Sequence, residues 1–397
     1  MRTPRAPSPS NANTMHDKRP SHSQRGNNAD ASSANAKPMR IQHPSNVDLT
    51  QQKSPFIWPF AVLHFAGMAL VLGHISALEY WLAPAGEKPA ARMALPSFAL
   101  PRTAVNLRDV SEPCTLMPSV LSAPVHAMTS VAVKNEHPAL LVHHSLRSAI
   151  PVRSFFRLAK GIYVCSPEMA FVQVATRMPL RELIRLGFEL CGSYSLSERA
   201  PGGFFNRKPL MTTRSLRAFI EGAPGMHGSK NAARALHYIL PDSASPAETR
   251  LAMALSLPCN LGGFGLPQPT MNRRIALSKA ERTIAGKSHL RCDLYWEGKG
   301  VGVEYDSDLE HTGSERIAAD AARRNTLAFA STTLITITRL QYNNPARFAA
   351  MAKELAKLLG VQIRPRCRDF PAKQRELRDL LYRQPEWEER RRLNPLR

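Results

Sequence analysis

The chain has 397 residues, a mass of 44.0 kDa, a formal net charge of +22 and an isoelectric point near 10.3. Its length suits about two domains plus tails, and an apolar fraction of 43% is ordinary for a globular protein. The charge excess argues against a neutral metabolic enzyme: a polyanion, nucleic acid first, is its simplest partner, with a solvated basic surface as the alternative.

Residues 1–55 are rich in Ser, Asn, Pro and Ala with few large apolar groups, and are predicted to be disordered. From Phe56 no charged residue occurs until Glu79, a run long enough to cross a bilayer of about 30 Å. Pro59, His64 and His74 within it are costly in hydrocarbon. A strand over Met68–Leu72, a turn at Gly73 and a helix beginning after Ser76 as cap explain the segment better, so no membrane partner is expected. On this reading residues 1–67 are a low-complexity leader and the working protein begins near Met68.

Residues 82–124 are interrupted by proline and read as a linker. An α/β region follows. "VHAMTSVAV" and "PALLVHH" are strand-like, and "GIYVCSPEMAFVQVA" runs from a strand into a helix capped by Ser166 with Pro167 in its first turn. "PLRELIRLGFELCGSY" places Leu183, Leu186 and Leu190 on one helical face. Two further helices around "GAPGMHG" carry Arg214, Arg217, Lys230 and Arg234, a basic pair that suits phosphates or simply solvent.

Ser245 caps another helix, with Pro246 in its first turn and Glu248 where the helix dipole favours negative charge. "RIALS", "LRCDLYW" and "VGVEYD" are strands, the last two joined by the turn "EGKG". Side chains two apart on a strand share a face, so Glu304 and Asp306 point the same way, and the turn brings Asp293 toward them. Carboxylates this close repel unless a cation or proton lies between them. Hard oxygen donors suit Mg2+ or Mn2+, which polarise a phosphodiester and activate water. An exposed acidic hairpin is the alternative, but the apolar "VGV" argues for a buried strand whose acid needs a partner.

In this order, over roughly residues 245–345, these elements resemble the PD-(D/E)XK restriction-endonuclease-like superfamily, in the branch near very-short-patch-repair endonucleases. The family pattern is a helical acid, a strand aspartate and an acid on the next strand, which fall on Glu248, Asp293 and Glu304. Asp306 and His311 match a further aspartate and histidine of that branch. The resemblance implies a mixed β-sheet flanked by helices, metal ligands at Asp293 and Glu304, supporting acids at Glu248 and Asp306, a proton shuttle or phosphate contact at His311, and DNA contacts from Arg316, Arg323 and Arg324 on the helix that follows. The superfamily's lysine is absent from position 306; Lys299 sits in the turn, and His311, Arg323 or Arg324 are the candidates to stand in for it.

Residues 125–240 resemble, more distantly, the region preceding nuclease-like domains in relatives of AbiEi-type abortive-infection antitoxins, with "GIYVCSPEMAFVQVA" as the best match. No winged-helix reader is evident at the front. A toxin or defence-system partner is therefore a further expectation. The expected organisation is an α/β region over 68–240, an endonuclease-like domain over 241–362 and a basic tail over 363–397. Six scattered cysteines without a CxxC pair point to a reducing, cytoplasmic setting. The implied activity is hydrolysis of DNA phosphodiesters in bacterial defence or repair; the alternative is a catalytically inactive nucleic-acid-binding or antitoxin-like regulator.

Overall fold

The computed structural model describes residues 69–92, 94–106, 115–116, 120–286, 288–306, 332–364 and 367–383. Helices and mixed sheets alternate along it, an α/β fold as expected.

Strand β1 (Leu70–Leu72) is buried at all three residues and passes through Gly73 into helix α1 (His74–Leu82). The helix thus starts two residues before Ser76. Ser76 is not its cap: it is buried in the first turn, and its Oγ accepts the His126 N–H at 2.9 Å, so the hydroxyl holds a neighbouring strand instead. Among the described residues no helix is long and apolar enough to cross a membrane, and the described end of the apolar run divides into this strand and helix.

The stretch after α1 does more than link. Leu100, Val105, Val120 and Leu121 are buried in the common core, and Ala94 bridges to Phe156. Strands β2 (Val125–Thr129), β3 (Leu141–Ser145), β4 (Phe155–Ala159) and β5 (Ile162–Cys165) complete a five-stranded sheet in the order β3-β2-β1-β5-β4. β1 runs parallel to β5 and antiparallel to β2, so it is central and covered on both faces, which is why "LVL" carries no alternation.

Helix α2 (Pro167–Val174) starts at Ser166, whose side chain accepts the Met169 N–H at 3.2 Å. Helix α3 (Leu180–Cys191) buries Leu183, Leu186 and Leu190. A short hairpin of β6 (Tyr194–Leu196) and β7 (Phe204–Asn206) leads to α4 (Thr213–Gly222) and α5 (Ser229–Leu236). Arg214, Arg217, Lys230 and Arg234 are all exposed on this helix pair.

Helix α6 (Pro246–Ser256) introduces the second sheet: β8 (Thr270–Ala276), helix α7 (Lys279–Ala285), then β9 (His289–Trp296), β10 (Val301–Asp306) and β11 (Thr333–Thr338), in the order β11-β10-β9-β8. β10 pairs antiparallel with β9 and parallel with β11. Gly300, at φ 60°, closes the β9–β10 turn in the left-handed conformation that glycine adopts without strain. Helices α8 (Arg339–Asn343) and α9 (Pro345–Leu359) follow.

The basic tail contains helix α10 (Phe370–Tyr382), which buries Leu377 and Leu381. It docks on α3: the buried Arg185 donates to the carbonyls of Leu380 at 2.7 Å and Arg383 at 2.6 Å, satisfying acceptors that a helix end leaves open. The main hydrophobic core draws on residues from Leu70 to Leu381, with a small separate cluster around Leu277.

Candidate active site

The site forms where the β9–β10 ladder stops. Val301, Gly302 and Val303 pair with Trp296, Tyr295 and Leu294, and the next residues beyond the last pair are Glu304 and Asp293. Leu294 and Val303 are fully buried, whereas Asp293 and Glu304 are half-buried, as alternation on a strand requires. Asp293 Oδ2 accepts the Tyr305 N–H at 2.9 Å, so a carboxylate stands where the next inter-strand bond would be.

Glu248 reaches the same place from the first turn of α6. Glu248 is 8% exposed, and its carboxylate accepts from Ala244 N–H at 2.8 Å, from Ser245 Oγ at 3.0 Å and from the Asn272 amide, while its own N–H donates to Ser245 Oγ at 3.2 Å. Burial, joined by the charge of Asp293, raises the Glu248 pKa against the opposing pull of the donated hydrogen bonds. The cap role foreseen for this helix start is real, and the Asp293 interaction adds a second role at the acidic site.

Two residues not singled out from the sequence belong to the site. Asn272 breaks the β8–β9 ladder between the Met271–Leu294 and Arg273–Cys292 pairs, in a left-handed conformation with φ 50°. Its amide nitrogen donates to Glu248 and to the Asp242 carbonyl, and its Oδ1 accepts Arg291 Nε at 2.6 Å. Arg291 lies two residues before Asp293 and so on the same face of β9. The alternation in "LRCDLYW" already carried that placement. The backbone of Asn272 had no comparable signal.

Asp306 ends β10 opposite Thr338 of β11, two residues along from Glu304. Lys299 sits in the turn at the other end of the hairpin, five residues and roughly 16 Å of strand from Glu304, too far to replace a lysine at position 306. His311, Arg316, Arg323 and Arg324 lie outside the described residues.

The donor set can be tested against the divalent cation that the resemblance implies. Among the described residues no group of three or more His, Cys, Asp and Glu side chains is placed to hold a metal ion. Glu248 already accepts three hydrogen bonds, which makes it a support rather than a ligand. Asp293 and Glu304 remain, a pair of hard oxygen donors. That fits Mg2+ or Mn2+, which bind through one or two carboxylates with water and substrate phosphate completing the shell, and does not fit a closed protein cage. No family model, no curated protein and no solved structure matches this chain.

Proposed function

We propose that the protein is a metal-dependent, endonuclease-like protein that hydrolyses DNA phosphodiesters in bacterial defence or repair, working in the cytoplasm. The observation that carries this reading is the meeting of Glu248, Asp293 and Glu304 at the open end of the β9–β10 pair, in a chain of net charge +22.

Asp293 and Glu304 would hold Mg2+ or Mn2+, which supplies Lewis-acid polarisation of a phosphodiester and a more acidic water. The remaining residues set the geometry. Glu248 fixes the Asn272 amide, Asn272 fixes Arg291, and Arg291 stands beside Asp293 with a guanidinium suited to a phosphate oxygen. This replaces the missing lysine by position on the sheet, with His311, Arg316, Arg323 and Arg324 reserved for DNA contact.

The test is nicking of supercoiled plasmid by the full chain with Mn2+. Wild type is expected to nick and Asp293→Ala to be silent; wild type that binds DNA and leaves it intact removes the enzymatic reading. Asp306 at the lysine position favours a second reading, an inactive nucleic-acid-binding or antitoxin-like regulator with a toxin or other defence-system partner. Binding without nicking is what that reading expects.

Metal binding should also register as stability, because a ligand that binds the native state alone stabilises it by mass action. Mg2+ or Mn2+ is expected to raise the melting temperature of wild type and leave an Asp293→Ala, Glu304→Ala double variant unmoved. Equal shifts in both would put the cation elsewhere.

A further inference from the structure

A cavity of about 680 Å³ opens at the end of β1, well away in sequence from the acidic site. Three imidazoles from three separate elements meet on its wall. The His74 and His144 rings are stacked with centroids 3.6 Å apart, His126 lies 5.0 Å from His144, and His126 Nδ1 is 2.7 Å from His144 Nε2. His143 is anchored differently, with its ring nitrogens on the Asn135 side chain and the Val105 backbone. Arg177 and His227 stand exposed at the rim, and Glu182 is the carboxylate among the lining residues.

Among the described residues no three His, Cys, Asp or Glu side chains are placed to hold a metal ion, and the one close approach of ring nitrogens, His126 Nδ1 to His144 Nε2, is a hydrogen bond. The polar groups therefore suit an anion better than a cation. A permanent guanidinium at the mouth and imidazoles that become donors at both nitrogens on protonation are a phosphate-binding set. The volume exceeds that of a free phosphate, and the ring stack beside Met128 and Met226 offers a flat, partly apolar wall.

We propose that this cavity binds a phosphorylated small molecule bearing a flat ring, of about nucleoside monophosphate size, with Arg177 and the His74–His126–His144 stack holding the phosphate and ring. His74 is held at φ 51°, a strained setting for a residue with a side chain and one common at functional sites. Its backbone N–H donates to Gln173 Oε1 at 2.8 Å, which anchors the His74 backbone to α2. Burial keeps His74 well below the usual imidazole range, with the charges of His144, His126 and Arg177 adding to it. His144 is pulled down to about 4, by burial first and then by Arg177 and His143. His74 and His144 are thus neutral at pH 7. An arriving dianion favours the charged form, so binding takes up protons.

The experiment is titration calorimetry of the full chain with adenosine monophosphate and, separately, inorganic phosphate, each in two buffers of different ionisation enthalpy. Expected are binding of the nucleotide at least about tenfold tighter than of phosphate, a buffer-dependent enthalpy of the sign of proton uptake, and roughly ten- to a hundredfold weaker binding in Arg177→Gln. Arg177 is exposed, so that variant folds, and it touches nothing in the acidic site. Absence of nucleotide binding to wild type, equal affinity for nucleotide and phosphate, or an unchanged affinity in Arg177→Gln would each overturn the proposal. Nicking activity is unaffected by any of these outcomes.

Discussion

Replacing Glu248 by glutamine is expected to raise the melting temperature at pH 7, whereas Glu248→Ala is expected to cost about 3 kcal/mol of stability. The two substitutions remove the same charge and differ in what they leave behind. Alanine strands three donors, the Ala244 N–H, the Asn272 amide and the Ser245 hydroxyl, in a place from which water is largely excluded. Glutamine keeps them satisfied. Its oxygen takes the position that accepts from Ala244 and Asn272, and its nitrogen faces Ser245 Oγ, which can accept as well as donate. The charge itself is unfavourable there, because burial and then Asp293 raise the carboxyl pKa. The sign follows from linkage: a carboxyl whose folded pKa lies above its unfolded value favours the fold most below the unfolded value, and that contribution is lost as pH rises through the folded one. Glutamine does not suffer that loss. Under the nuclease reading the same variant should nick roughly ten- to a hundredfold more slowly, the usual cost of removing a group that orients metal ligands. Chemical or thermal denaturation at pH 7 checks the stabilities. A Glu248→Gln protein that melts below wild type would mean that the ionised carboxylate is a net stabiliser of this site.

Much of the scaffold of that site was legible in the sequence, because it rests on short-range rules. Period-two alternation in "LRCDLYW" and "VGVEYD", and the Ser245-Pro246 helix start, fix which strands and helix carry Asp293, Glu304 and Glu248. What stayed hidden depends on contacts between distant segments. Ser76 has the chemistry of a cap, yet a backbone N–H from β2, fifty residues away, takes its oxygen, and the helix starts earlier for want of a competing side chain at Gly73. Asn272 lies just before the strand "RIALS" and carries no local pattern; only the fold brings Glu248 and Arg291 to the two ends of its amide. The sequence marks residues 363–397 only as a basic tail, whereas in the fold Arg185, some 195 residues away, supplies a buried guanidinium that finishes α10. The histidine stack is the extreme case: residues 74, 126 and 144 share no local pattern and meet because β1 lies beside β2 and β2 beside β3.

That stack should make the fold acid-sensitive in a defined window. Lowering the pH from about 6.5 to about 4 is expected to remove on the order of 3 kcal/mol of stability through His144 alone. The sign is opposite to that of Glu248. Both His74 and His144 have folded pKa values below the unfolded imidazole value, so the unfolded chain binds more protons throughout the window and stability falls as pH falls. The groups that face them do not reverse this. His126 and His143 are further imidazoles, Arg177 is a fixed positive charge that opposes protonation, and both rings are shifted down although Glu182 lines the same wall. Protonating both partners of the His126–His144 contact also places two N–H groups against each other across 2.7 Å. Replacing His144 by glutamine keeps a polar side chain beside His126 and removes the titration. Urea midpoints of wild type and His144→Gln measured from pH 7 to pH 4 should therefore lie close together at the neutral end and separate toward the acid end, where the wild type falls below the variant. Parallel curves across the window would show that His144 is solvated in the folded protein and that the stack carries no proton-linked energy.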